Sequence, residues 1–206
     1  MSVRLHIAAA LLVLLGGGGM CFSADSTVVR VEEDWEVQIG TPDPFLDMPQ
    51  IVTVFGPSDP EVGTHAVFEL NHGTLPSFGE GGMQLQYWSG DTLKGYKRQK
   101  APAEFSTAGE TVTFTTVTEI ENGNLTMSVI DGRSKAFGIF GDENALRIQV
   151  QTSLRSLDGM SLDNSVRHSK VTYGANHVQK FQRNRVRMLN AAGEVVATDE
   201  RIRDVR

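Results

Sequence analysis

Glu32, Asp34 and Glu36 fall at every second position, so in an extended strand all three carboxylates leave the same face. Paired carboxylates suit general acid and base chemistry on a glycosidic bond. A retaining mechanism needs one ionised and one protonated group about 5–5.5 Å apart. Strand positions four apart begin about 13 Å from each other at Cα, so the triplet can act this way only if its side chains converge. The competing use is electrostatic. Arg183, Arg185 and Arg187 alternate in the same way near the other end of the chain. If those two strands are neighbours, acids opposite arginines form a cross-strand ladder in which each pair contributes about 0.2–1 kcal/mol. This second use is the one expected.

Trp88 shares a strand face with Gln84 and Gln86. An indole can stack on the apolar face of a pyranose while amides bond its hydroxyls, so these three are the candidate ligand-binding residues. His72, in the Asn71-His72-Gly73 turn, joins them as a candidate to line a loop pocket, with loop residues around Phe78. The spacing of His65, His168 and His177 matches no usual zinc motif, so each is expected at the surface or in a turn. The chain has no Gly-x-Ser-x-Gly elbow, and its glycine run at 16–19 precedes the folded body. No catalytic residue and no resident cofactor are therefore assigned. Calcium is the one metal the acidic loops would suit, through Asp43 and Asp47 or through Asp142, Glu143 and Asn144.

Residues 1–24 carry Arg4, an uninterrupted apolar run at 7–15 and then small residues up to Ala24. This is the pattern of an export signal, with cleavage after Ser23 or Ala24. The apolar run is far short of the ~20 residues of a membrane span. Cys21, the only cysteine, would leave with the signal. Met20 stands where lipidation of Cys21 would want a small residue. Residues 25–206 would then form a single domain without a thiol, which excludes disulfides, thiolate metal sites and cysteine nucleophiles. The expected destination is the medium, the periplasm or the cell envelope, with no membrane insertion after cleavage. A formal net charge of −6, one unit more negative without Arg4, disfavours nucleic acid and anionic lipid as partners.

The elements that must position these residues read as strands. Val29, Val31, Trp35, Val37 and Ile39 alternate through a first strand, with Glu33 the one polar residue on the apolar face. Residues 50–55 form a second strand, Ala66, Phe68 and Leu70 mark a third, and Met83, Leu85 and Tyr87 mark the clearest half-buried one. Val112 and Phe114, then Leu125, Met127 and Val129, flank Asn122-Gly123, the strongest short-range hairpin signal. Leu146, Ile148 and Val150 alternate next, and residues 178–189 and 194–198 make a closing hairpin around 190–193. The stretches 75–82 and 155–176 read as long loops, and no long helical stripe appears. The fold class expected is all-β, two antiparallel sheets stacked as a sandwich.

The stretch 82–88 (Gly-Met-Gln-Leu-Gln-Tyr-Trp), followed by Asn122-Gly123-Asn124-Leu125-Thr126-Met127 and Phe137-Gly138-Ile139-Phe140-Gly141, resembles the strand order of concanavalin-A-like jelly rolls. The opening Val31-Glu32-Glu33-Asp34-Trp35-Glu36 is similar to the start of a group of uncharacterised secreted bacterial proteins. The first resemblance implies a jelly-roll sandwich, an architecture that hosts many unrelated functions. Glu32-x-Asp34-x-Glu36 also resembles the nucleophile, assisting aspartate and acid/base of laminarinase-type retaining glycoside hydrolases. Here, however, the motif directly follows the signal, and Trp35 points away from the acids. The expected function is a secreted, non-catalytic carbohydrate- or surface-binding domain, with polysaccharide or an envelope protein as partner. The alternatives are the hydrolase and a structural envelope or matrix component.

Overall fold

A computed structural model describes residues 26–41, 49–72, 82–100 and 108–205, the side chains of Lys100 and Glu143 excepted. The proposed signal, Asp43, Asp47 and Phe78 lie outside the described residues. In chain order the strands are β1 (Arg30–Ile39), β2 (Gln50–Phe55), β3 (Thr64–Leu70), β4 (Gly82–Ser89), β5 (Thr92–Lys100), β6 (Thr111–Glu121) and β7 (Asn124–Ser134). They continue as β8 (Gly138–Phe140), β9 (Arg147–Gln151), β10 (Lys170–Tyr173), β11 (Val178–Leu189), β12 (Val195–Asp199) and β13 (Arg203–Asp204). One helix, α1 (Asp163–His168), precedes β10.

The strands form two antiparallel sheets, as the alternating pattern predicts. The larger has eight strands in the order β12-β11-β1-β6-β7-β8, with β13 also on β11 and β9 also on β7. The smaller runs β10-β2-β3-β4-β5. Every second residue of β1, β6 and β7 faces the smaller sheet, and Trp35, Phe114 and Met127 are sealed there. Phe68 of the smaller sheet meets Phe114 edge-on at 5.1 Å between ring centroids and stacks with Phe140 at 6.1 Å. Aromatic rings from both sheets thus share one apolar core. Gly132 is required for this packing, because a Cβ there would lie 2.2 Å from the Phe140 ring. The β6–β7 hairpin turns on Asn122 and Gly123 at φ 50° and 75°, the left-handed pair of a type I′ turn.

The register between β1 and β11 confirms that the first strand and the late strand are neighbours. It also corrects the arginine ladder. Glu32 lies opposite Arg187 and Asp34 opposite Arg185, but a bulge follows, so Trp35 faces Arg183 and Glu36 faces Gln182. An extra residue on one strand turns the next side chain to the other face. Arg183 therefore points into the core and meets Glu33, the one charged exception in the apolar row of β1. Lys180 replaces it as the third rung, 3.0 Å from Glu36.

Two further elements depart from the sequence reading. Within 155–176, read as loop, lie α1 and β10, and β10 extends the smaller sheet by pairing with β2. Strand β5 carries Gly95 and Lys97 where an apolar row would be expected, so periodicity does not reveal it. Lysine on an edge strand discourages further strand pairing.

Candidate functional site

A groove of about 490 Å³ crosses the outer face of the smaller sheet, over β10, β2, β3 and β4. Its position follows from strand alternation. Leu85 and Phe68 point inward, so their neighbours Gln86 and Val67 point outward, as do Val52 and Val54 on β2. Trp88 lies opposite His65 on β3, and the two rings stack with centroids 6.4 Å apart and planes 11° from parallel. The indole Nε1 donates to Gln86 Oε1 at 2.7 Å. That bond occupies the carbonyl end of the amide and leaves its amine to donate elsewhere. Glu69 and Lys170 add a carboxylate and an ammonium to the lining.

His65, the inner ring of this stack, is almost fully buried. Burial, reinforced by nearby His168 and opposed by Asp59 and the Gly63 carbonyl, holds its pKa below the ordinary histidine range. Nδ1 lies 3.2 Å from the Gly63 carbonyl, placing the ring N–H there and leaving Nε2 as an acceptor.

Of the four predicted ligand residues, Trp88 and Gln86 line the groove. Gln84 lies on the same face farther along β4, opposite Arg98, whose Nε donates to Gln84 Oε1. His72 sits past the end of β3, where its Nδ1 meets Glu69 Oε2. It therefore touches the groove through Glu69 rather than directly. Sequence reasoning missed Tyr96, which is 54% exposed and pairs with Gln86 on the same outer face. The Arg98 guanidinium lies 4.8 Å from its ring centroid. Tyr96 thus adds a second aromatic ring beside that of Trp88 on the outer face. The only signal for the second was a tyrosine in a strand that periodicity did not disclose.

The carboxylate triplet lies on the outer face of the other sheet. Asp34 Oδ2 is 2.7 Å from Arg185 and Glu32 Oε2 is 2.9 Å from Arg187. Thr115 Oγ1 donates to Asp34 Oδ1 at 2.8 Å. The hydrogen bond from Lys180 holds the Glu36 carboxyl below the usual carboxylate range, whereas a glycosidase acid must be raised. Each carboxylate has a cationic partner in place.

A second cleft of about 560 Å³ opens where β5 faces β9, lined in part by Tyr87, Ile148 and Val150 and by Lys94, Lys97 and Arg147. It is a gap between sheet edges, with Lys94 and Lys97 exposed at the β5 margin. Of the acidic loops, Asp142 and Asn144 fall in one 3-10 turn, and Asn144 Oδ1 accepts a bond from Arg147 at 3.1 Å. The structure instead brings together Asp59, Glu61 and His168 at one side of the groove, with potential ligand atoms all within 4.8 Å of one another.

An all-β sandwich of two antiparallel sheets with an aromatic-lined outer groove is the class these features define. No protein-family model, curated protein or solved structure matches the chain.

Proposed function

We propose that this protein is an exported, non-catalytic binding domain that holds a polysaccharide in the groove over Trp88 and Gln86. The observation that carries this reading is the fixed Trp88–Gln86 pair, a half-buried indole stacked on His65 at the groove with an amide locked beside it. Such a pair matches the two faces of a sugar, ring C–H groups for the indole and hydroxyls for the amide. Tyr96 on the same face extends the aromatic surface past Gln86. Glu69 and Lys170 offer an acceptor and a donor for further hydroxyls.

Export is supported by the composition of residues 1–24, and no helix among the described residues is long and apolar enough to cross a membrane. The sandwich is also the architecture that a concanavalin-A-like resemblance implies. The glycosidase reading is weaker, because the three acids are committed to Arg187, Arg185 and Lys180.

The test is a screen of the protein against insoluble polysaccharides and a glycan array, with reducing-sugar release followed in parallel. Binding that falls in Trp88→Ala without sugar release supports the proposal. Sugar release abolished by Glu32→Gln would replace it with the hydrolase. Failure to bind any glycan would favour a structural role with an envelope protein as partner.

A further inference from the structure

We infer that Asp59, Glu61 and His168 form a binding site for a divalent cation of the zinc class beside the groove. The inference stands whether or not the groove takes a sugar. Asp59 and Glu61 come from the β2–β3 loop and His168 from the end of α1, more than one hundred residues away, yet their ligand atoms gather within 4.8 Å. Metal bonds of about 2.0–2.2 Å require those atoms to close further. Glu61 is exposed and can make that adjustment by rotating its side chain.

The donor set selects the metal. Two carboxylates and one imidazole suit zinc and its transition-metal neighbours, whereas calcium prefers an all-oxygen shell of six to eight ligands. Three protein ligands also leave a coordination position open, and Glu61 and His168 both line the groove.

The cluster already draws a cationic side chain. The Arg167 guanidinium already lies across the cluster, donating from Nη2 to Asp59 Oδ2 at 2.9 Å and from Nε to His168 Nε2 at 3.2 Å. The imidazole therefore turns a lone pair, not an N–H, towards a positive charge. Arg167's side chain is 63% exposed, so a dication can displace it into solvent.

The rest of the site is held firmly. The Asp59 carbonyl accepts from the backbone of Val62 and Gly63, and its Oδ1 accepts from Glu61 N at 3.0 Å. A Cβ at Gly63 would come within 2.3 Å of Ser58 Cβ, so this loop has little room to move. His168 ends the helix that Ser165 fastens to Glu33 with a 2.6 Å hydrogen bond.

The test is calorimetric titration of untagged, chelator-treated protein with zinc chloride, with calcium chloride as the comparison. The expected result is one saturable zinc site, weakened by at least the roughly tenfold effect typical of losing even an outer partner in His168→Ala and in Glu61→Gln. Glu61→Gln guards against a folding defect, because that side chain is exposed. Arg167→Ala should bind zinc more tightly, since it removes the competing cation. Absence of saturable zinc binding, or undiminished affinity in both ligand variants, would overturn the inference.

Discussion

Arg183 reaches across from β11 to Glu33 of β1, Nη1 to Oε1 at 2.8 Å, with the two side chains only 1% and 2% exposed. Ser165 of α1 completes the group, donating to the same Glu33 oxygen and accepting from Arg183 at 2.9 Å. One buried ion pair therefore joins the larger sheet to the helix that ends in His168. Ser169 continues the connection by accepting from Val54 N at 2.9 Å, on the strand that floors the groove.

Removing one member of that pair should be severe. Burial pushes the Glu33 carboxyl up from its usual range, against the pull of Arg183 and Ser165. Arg183→Met strands a carboxylate in the core and should destabilise by about 3–5 kcal/mol. The double change Glu33→Leu with Arg183→Met should recover much of the loss, because Arg183 Nε and Nη2 have no hydrogen-bond partner among the described residues. Urea unfolding reads both variants. A double variant no more stable than Arg183→Met alone would contradict this view.

The outer ladder should behave more mildly. Arg185→Glu places a like charge opposite Asp34 and should lower stability by about 0.2–1 kcal/mol, the range for exposed pairs. Adding Asp34→Lys should restore part of it, and the effect should shrink at high salt. Thermal melts at two ionic strengths check this. An unchanged melt in Arg185→Glu would remove that rung.

Burial of His65 sets the sign expected for its contribution to the pH dependence of stability. Its folded pKa lies below the ordinary 6.5, so folding favours the neutral ring. Its contribution is fully present above 6.5 and is lost as pH falls towards the folded value. Between about pH 7.5 and about pH 5.5, the wild type should lose more stability than His65→Gln. Equal losses by chemical denaturation at both pH values would show that burial of this ring carries no such linkage.

Much of the sandwich was legible because strand alternation is local. Val31, Trp35, Val37 and Ile39 announce both the strand and its buried face, and Asn122-Gly123 announces the turn that follows β6. Glu33 broke the pattern visibly, but its reason was hidden. The bulge that inverts Arg183 belongs to the pairing of two strands about 150 residues apart. Helix α1 is too short to display a helical period. Strand β5 sits at an edge, where burial does not impose a regular apolar row. For the candidate site, alternation placed Trp88 and Gln86 on one face. It could not place His168 beside Asp59, because the two lie more than one hundred residues apart and are brought together only by the fold, through the pairing of β10 with β2.

The most direct test of the groove uses the fact that the chain has only two tryptophans. Trp35 is sealed in the core, 1% exposed, with its Nε1 bonded to Thr116 at 3.1 Å, whereas Trp88 is half-buried and lines the groove. Indole emission should therefore report on Trp88 as a soluble polysaccharide is titrated in, with Trp35 as a constant background. The account predicts a saturable emission change that disappears in Trp88→Phe, with at least about tenfold weaker binding in Trp88→Ala by affinity electrophoresis. Polysaccharide binding that is undiminished in Trp88→Ala, or no binding to any polysaccharide, would contradict it.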